Sequence, residues 1–137
     1  MFTLFALVKD TTNAIDNEAL IHDLKNELPG IEQYEIAKKE LVFPKVTVVQ
    51  LLNRGWRVRF QIRSEDSMTL SLEALQKILG KKTQLPPDFL SYNKEIAIGF
   101  GDDPDKLYTN DIIFIGEFIR ENYPGVVIYD QYNEDVW

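Results

Sequence analysis

Residues 94–130, KEIAIGFGDDPDKLYTNDIIFIGEFIRENYPGVVIYD, limit the possible folds more than any other stretch. They spell strand, acidic loop, helix, turn, strand, and apolar elements of this kind must be covered by further structure. Ile96, Ile98 and Phe100 alternate with Ala97 and Gly99, the two-residue period of a strand that ends at Gly101. Asp102-Asp103-Pro104-Asp105 is a loop, because proline has no N–H for a ladder and aspartate favours turns and helix entries. Thr109, Asn110 and Asp111 can each accept from the free N–H groups of a helix start, and Ile112, Ile115, Phe118 and Ile119 then share one helical face. Pro124-Gly125 ends that helix, and Val126-Val127-Ile128-Tyr129 is β-branched and apolar enough to be a strand covered on both sides. A unit of this size predicts two parallel strands joined by a right-handed crossover. Both strands then end at one edge, which brings Asp102, Asp103 and Asp105 near Asp130.

The charge of the chain is concentrated in the same region. Net charge is −7; residues 1–93 carry 12 Lys or Arg against 12 Asp or Glu, and residues 94–137 carry 3 against 10. A negative field of this kind repels a phosphate backbone and speeds encounter with a basic surface, although acidity also serves solubility. With 137 residues and 45% hydrophobic content, one domain can bury a core without staples. There is no cysteine, which excludes disulfides and thiolate chemistry and fits a reducing compartment. Met1–Val8 has neither a basic leader nor a cleavage site, and its apolar run is too short to span a bilayer. A buried first strand in a cytoplasmic protein is expected, with no membrane partner.

After a polar turn at residues 9–13, Asp16 or Asn17 caps a helix whose core stripe is Leu20, Ile21, Leu24 and Leu28. Pro29-Gly30 stops it, and a strand is expected from Ile31 to about Ile36. Phe5 to Ile36 thus echoes Ile98 to Tyr129: strand, Asp-containing turn, helix, Pro-Gly, strand. Either the two units are related, or Pro-Gly is simply a common way to leave a helix.

Between the two units, Glu40–Pro44 is the end or a bend of the preceding strand, and Val46–Leu52 and Trp56–Arg63 form a hairpin about Asn53-Arg54-Gly55. Trp56, Val58, Phe60 and Ile62 face the core, while Arg57, Arg59, Gln61 and Arg63 face water. The arginine row lacks a stacking platform, since Trp56 and Phe60 lie on the other side, and the region has no net positive charge. A solvated, salt-bridged face is expected, with no nucleic-acid partner. Ser64–Ser67 is a turn, Ser71 opens a short helix with Leu72, Leu75, Ile78 and Leu79 that closes at Gly80, and residues 81–93 form a surface connection. The tail, Gln131–Trp137, is acidic with two aromatics, a composition that suits either fraying or contact.

No signature of catalysis or of a cofactor is present. His22, the single histidine, lies off the apolar stripe and has no nucleophile elbow to serve. Gly99-Phe100-Gly101 completes neither a dinucleotide nor a phosphate loop. Asp102, Asp103, Asp105 and Asp130 can offer several oxygens to a hard cation, but Asp103-Pro104-Asp105 breaks off before an EF-hand develops.

Tyr123-Pro124-Gly125-Val126-Val127-Ile128-Tyr129-Asp130, in a small acidic chain, resembles small bacterial proteins of the toxin-immunity type. That resemblance implies a non-catalytic protein that caps a basic toxin or nuclease, with no cofactor, and it carries over no residue role. The concentration of acidic charge, not the resemblance, names Asp102, Asp103, Asp105, Asp130, Glu134 and Asp135 as the partner-binding residues. The alternative is a small divalent-metal-dependent enzyme or ligand-binding domain that uses the clustered aspartates.

The fold expected is α+β, a single domain over residues 1–137. It has a mixed sheet of about six strands and about three helices mostly on one face. The nearest named arrangement is ferredoxin-like with a C-terminal strand-helix-strand extension. The expected core is Phe5, Leu7, Leu20, Leu24, Val48, Val58, Phe60, Ile62, Leu75, Ile98, Ile115, Ile119, Val127 and Tyr129.

Overall fold

The computed structural model describes residues 2–10, 14–43, 45–68 and 71–137. Met1, Thr11 to Asn13 of the expected polar turn, and Pro44 of the expected bend lie outside the described residues. Among the described residues seven strands form one sheet: β1 (Phe2–Val8), β2 (Glu35–Leu41), β3 (Val46–Asn53), β4 (Trp56–Ser64), β5 (Lys94–Phe100), β6 (Val127–Asp130) and β7 (Asp135–Val136). Their spatial order is β2-β3-β4-β5-β1-β6-β7. The helices are α1 (Asn17–Glu27), α2 (Leu72–Leu79) and α3 (Thr109–Asn122).

Every pairing is antiparallel, so the sheet is not mixed. β5 and β6 do run in the same direction, as a crossover through α3 requires, but β1 lies between them and pairs with both. The reason is in the composition of β1. Leu4, Phe5, Ala6, Leu7 and Val8 are all buried, and a strand apolar on both faces belongs in the middle of a sheet covered on both sides. The last strand-helix-strand unit therefore straddles the first strand. That unit is integral to the centre of the sheet and not an appended C-terminal extension.

Two hydrophobic layers result. On one face α1 and α3 cover Leu4, Ala6, Val58, Phe60, Ile96 and Ile98 with Leu20, Leu24, Ile115 and Ile119. On the other face α2 and a 3-10 turn at Phe89–Ser91 cover Phe5, Leu7, Ala97, Val127 and Tyr129. Thirteen of the expected core residues are buried and Ile62 is half-buried. The connection at residues 81–93 is more than a surface crossing, because Phe89 and Tyr92 are buried against α2. A three-residue turn offers too few positions to show a period, which hid it in the sequence.

Asp16 caps α1, accepting from the Ala19 N–H at 2.8 Å, and Ser71 caps α2 through the Ala74 N–H at 3.4 Å. The Pro-Gly echo is repeated in geometry. Ile31 N–H bonds to Leu28 C=O at 3.2 Å and Val126 N–H to Tyr123 C=O at 3.0 Å, with Gly30 and Gly125 at φ 79° and 80°. Proline second and a left-handed glycine third is the signature of a type II turn. Beyond the first of these turns, Ile31–Gln33 winds into a 3-10 turn and the strand starts at Glu35 rather than Ile31. Ile31 and Tyr34 pack against the α1 and α3 layer, so their apolar signal belongs to that core. Among the described residues no helix is long and apolar enough to cross a membrane.

Candidate functional site

β5 and β6 both run antiparallel to β1, so Phe100 and Asp130 come to the same end of the sheet, as the sequence predicts. The loop that follows β5 is held at three points. Gly101 N–H donates to Arg57 C=O at 2.8 Å, and the Trp56 indole N–H donates to Gly101 C=O at 3.0 Å. A Cβ on Gly101 would stand 3.1 Å from the Arg57 carbonyl oxygen, so any side chain there would need its neighbours to give by a few tenths of an ångström. At the far end of the loop the Tyr108 ring stacks on Trp56, with centroids 4.2 Å apart and planes 2° from parallel.

Asp103 closes the loop. Its Oδ1 accepts from Leu107 N–H and its Oδ2 from Tyr108 N–H, each at 2.8 Å. Neither Thr109, Asn110 nor Asp111 caps α3; the residue at the cap position is Tyr108, whose side chain makes no capping bond. Asp103 instead fixes the loop just ahead of the helix, through the Leu107 and Tyr108 N–H groups, and places its negative charge near the positive end of the α3 dipole. Asp102 and Asp105 are exposed on either side of it.

Asp130 stands apart from the other acidic residues named in the sequence. It is 1% exposed. Its oxygens accept from Asn133 N–H at 3.1 Å, Asn133 Nδ2 at 2.7 Å and Trp137 Nε1 at 3.3 Å. It therefore folds the tail back on the sheet and offers nothing to a partner at the surface. With that anchor the tail adds β7, and Trp137 donates its backbone N–H to Ile128 C=O at 2.9 Å. Glu134, on the turn, and Asp135, at the start of β7, remain exposed. Among the described residues no three His, Asp or Glu side chains are gathered so that they could hold a metal ion.

Two clefts border the acidic loop. One, of about 560 Å3, is lined by Phe2, Phe100, Asp102, Lys106, Ile112 and Tyr132, and it joins the loop to the tail. The other, of about 670 Å3, is lined by Arg54, Arg57 and Arg59 together with Asp102, Asp103 and Asp105. The sequence named both charge groups without placing them together. Arg57 lies beside Gly101 only because β4 pairs with β5, a non-local fact that no local pattern carries. The arginine row is salt-bridged at Arg63, whose guanidinium meets Glu95 at 3.1 Å, while Arg59 donates to Gln50 at 2.9 Å. Glu95, 0% exposed, is a buried charge that the alternation of β5 did not flag. His22 is exposed and bonds to Asn26 on its own helix.

No protein-family model, no curated protein and no solved structure matches the chain.

Proposed function

We propose that the protein is a non-catalytic binding protein that engages a basic protein partner through the acidic end of its sheet, in the manner of a bacterial immunity protein capping a basic toxin or nuclease in the cytoplasm. The observation that carries this reading is the composition of that end. Asp102 lines a groove with Tyr132, which is 85% exposed, and the exposed carboxylates Asp105, Glu134 and Asp135 lie on the same loop and on the tail, with Leu107, 74% exposed, beside the aspartates in sequence. Apolar anchors ringed by charge suit protein recognition, where the anchors give affinity and the charges give on-rate and selectivity. The same carboxylates repel phosphates, which supports a protein partner over a nucleic acid. The metal-dependent alternative has less to rest on, since Asp103 and Asp130 commit their oxygens to Leu107, Tyr108, Asn133 and Trp137.

The test is affinity capture from the native host, with the wild-type chain beside an Asp102→Asn, Asp105→Asn, Glu134→Gln, Asp135→Asn variant. The reading expects basic proteins that the wild type retains, the variant loses and added salt releases. Equal retention by both baits, or binding that strengthens with salt, would overturn it.

A further inference from the structure

We propose that the cleft between the β4 arginines and the acidic loop binds a small zwitterion, a molecule with an oxyanion at one end and an amine at the other. Gly99 gives the first indication. It lies inside a central strand, where glycine weakens pairing and often marks close approach of a ligand, and no backbone strain asks for it. A Cβ built there meets nothing within 4 Å, so packing does not ask for it either. The open spot lies beside Arg59, its partner in the β4–β5 register.

The arginines give the second. Gln50 accepts from Nε of Arg59 and so fixes the guanidinium plane, leaving the terminal nitrogens for a ligand. Arg57 projects from the same face two residues earlier, and Arg54 is held at the hairpin turn with φ 50°. Neither Arg54 nor Arg57 has an ion-pair partner among the described residues, nor has Asp105, which lines the same cleft. Opposite charges thus border one open cleft without closing on each other. Two guanidinium forks match the oxygens of a phosphate or carboxylate, and a carboxylate in the same cleft matches an amine. At about 670 Å3 the cleft falls in the range of small-molecule sites.

The test uses two probes, inorganic phosphate and phosphoethanolamine, titrated into the full chain while backbone amide resonances and binding heats are followed. Both probes are expected to shift Arg57, Arg59, Gly99 and Gly101, with phosphoethanolamine binding roughly fivefold tighter, the order of one exposed ion pair. An Arg57→Gln, Arg59→Gln variant should lose both probes. Asp105→Asn should lose only the preference for the amine. Gly99→Ala, which has room for its methyl group, should fold normally and weaken both. Shifts elsewhere in the chain, no shift, equal affinity for the two probes, or full binding by Gly99→Ala would each overturn the proposal. The arginine variants leave the acidic rim untouched, so failure here is separable from failure of the docking reading.

Discussion

At the scale of single residues, three groups carry charge or polarity into the fold. Asp103 accepts two backbone N–H groups ahead of α3. Asp103→Ala strands both donors and should cost about 1–2 kcal/mol in urea unfolding, with Asp103→Asn losing less. Glu95 is buried beside Arg63, whose side chain is 23% exposed. Arg63→Met should cost about 3 kcal/mol because it removes the guanidinium that meets this buried carboxylate, and adding Glu95→Leu should recover most of the loss. Recovery absent from the double variant would mean that the pair is not what holds these strands. Tyr123 is the third. Burial, followed by the charges of Asp23 and Asp16, raises its phenol above the usual value, and burial followed by Asp111 does the same for Tyr34. Folding therefore favours the neutral ring. That contribution is complete below about pH 10, where an unfolded tyrosine titrates, and it is lost as pH rises further. Urea midpoints should fall above about pH 10, and less steeply in Tyr123→Phe; identical alkaline slopes would refute the assignment to Tyr123.

At the scale of elements, the loop after β5 shows how closely backbone and side chain are fitted. Gly101→Ala sets a methyl group 3.1 Å from the Arg57 carbonyl oxygen and 3.2 Å from the Trp56 ring. It should cost about 1–3 kcal/mol and reduce the near-ultraviolet circular dichroism of the Trp56–Tyr108 stack; an unchanged spectrum would mean that the loop yields freely. Elements with their own period or punctuation were legible in the sequence. The β3–β4 hairpin, the Asp16 and Ser71 caps, both Pro-Gly exits and most of the core follow from spacing and turn chemistry. What escaped depends on contacts far along the chain. β1 enters between β5 and β6 because of its two apolar faces, and Asp130 turns inward because Trp137 and Asn133 reach it. The candidate site was legible to the same extent. Its acidic loop and its placement at the ends of β5 and β6 follow from sequence, whereas the arginines that border it depend on which strand lies beside β5.

At the scale of the molecule, one sheet separates two cores of unequal size. Among the described residues, the α1 and α3 layer contains twenty buried residues and the α2 layer nine. The smaller layer is tied to the rest through a few points. The Tyr92 hydroxyl donates to Gly125 C=O, Asn93 N–H bonds to Val8 C=O, and Lys82 donates to Glu134 C=O. A layer with less buried apolar surface opens at lower free energy, because its loss exposes less. The α2 helix and the Phe89–Ser91 turn should therefore open as one unit while α1, α3 and the central strands stay closed. In native-state hydrogen exchange across low denaturant concentrations, amides of residues 72–79 and 89–92 should share an isotherm below that of β1, β5 and α3. Phe89 is 1% exposed at the centre of the smaller core, so Phe89→Ala should lower that isotherm by about 3 kcal/mol with a smaller change in the global one. Exchange of α2 only through global unfolding would show instead that the two cores form a single cooperative unit.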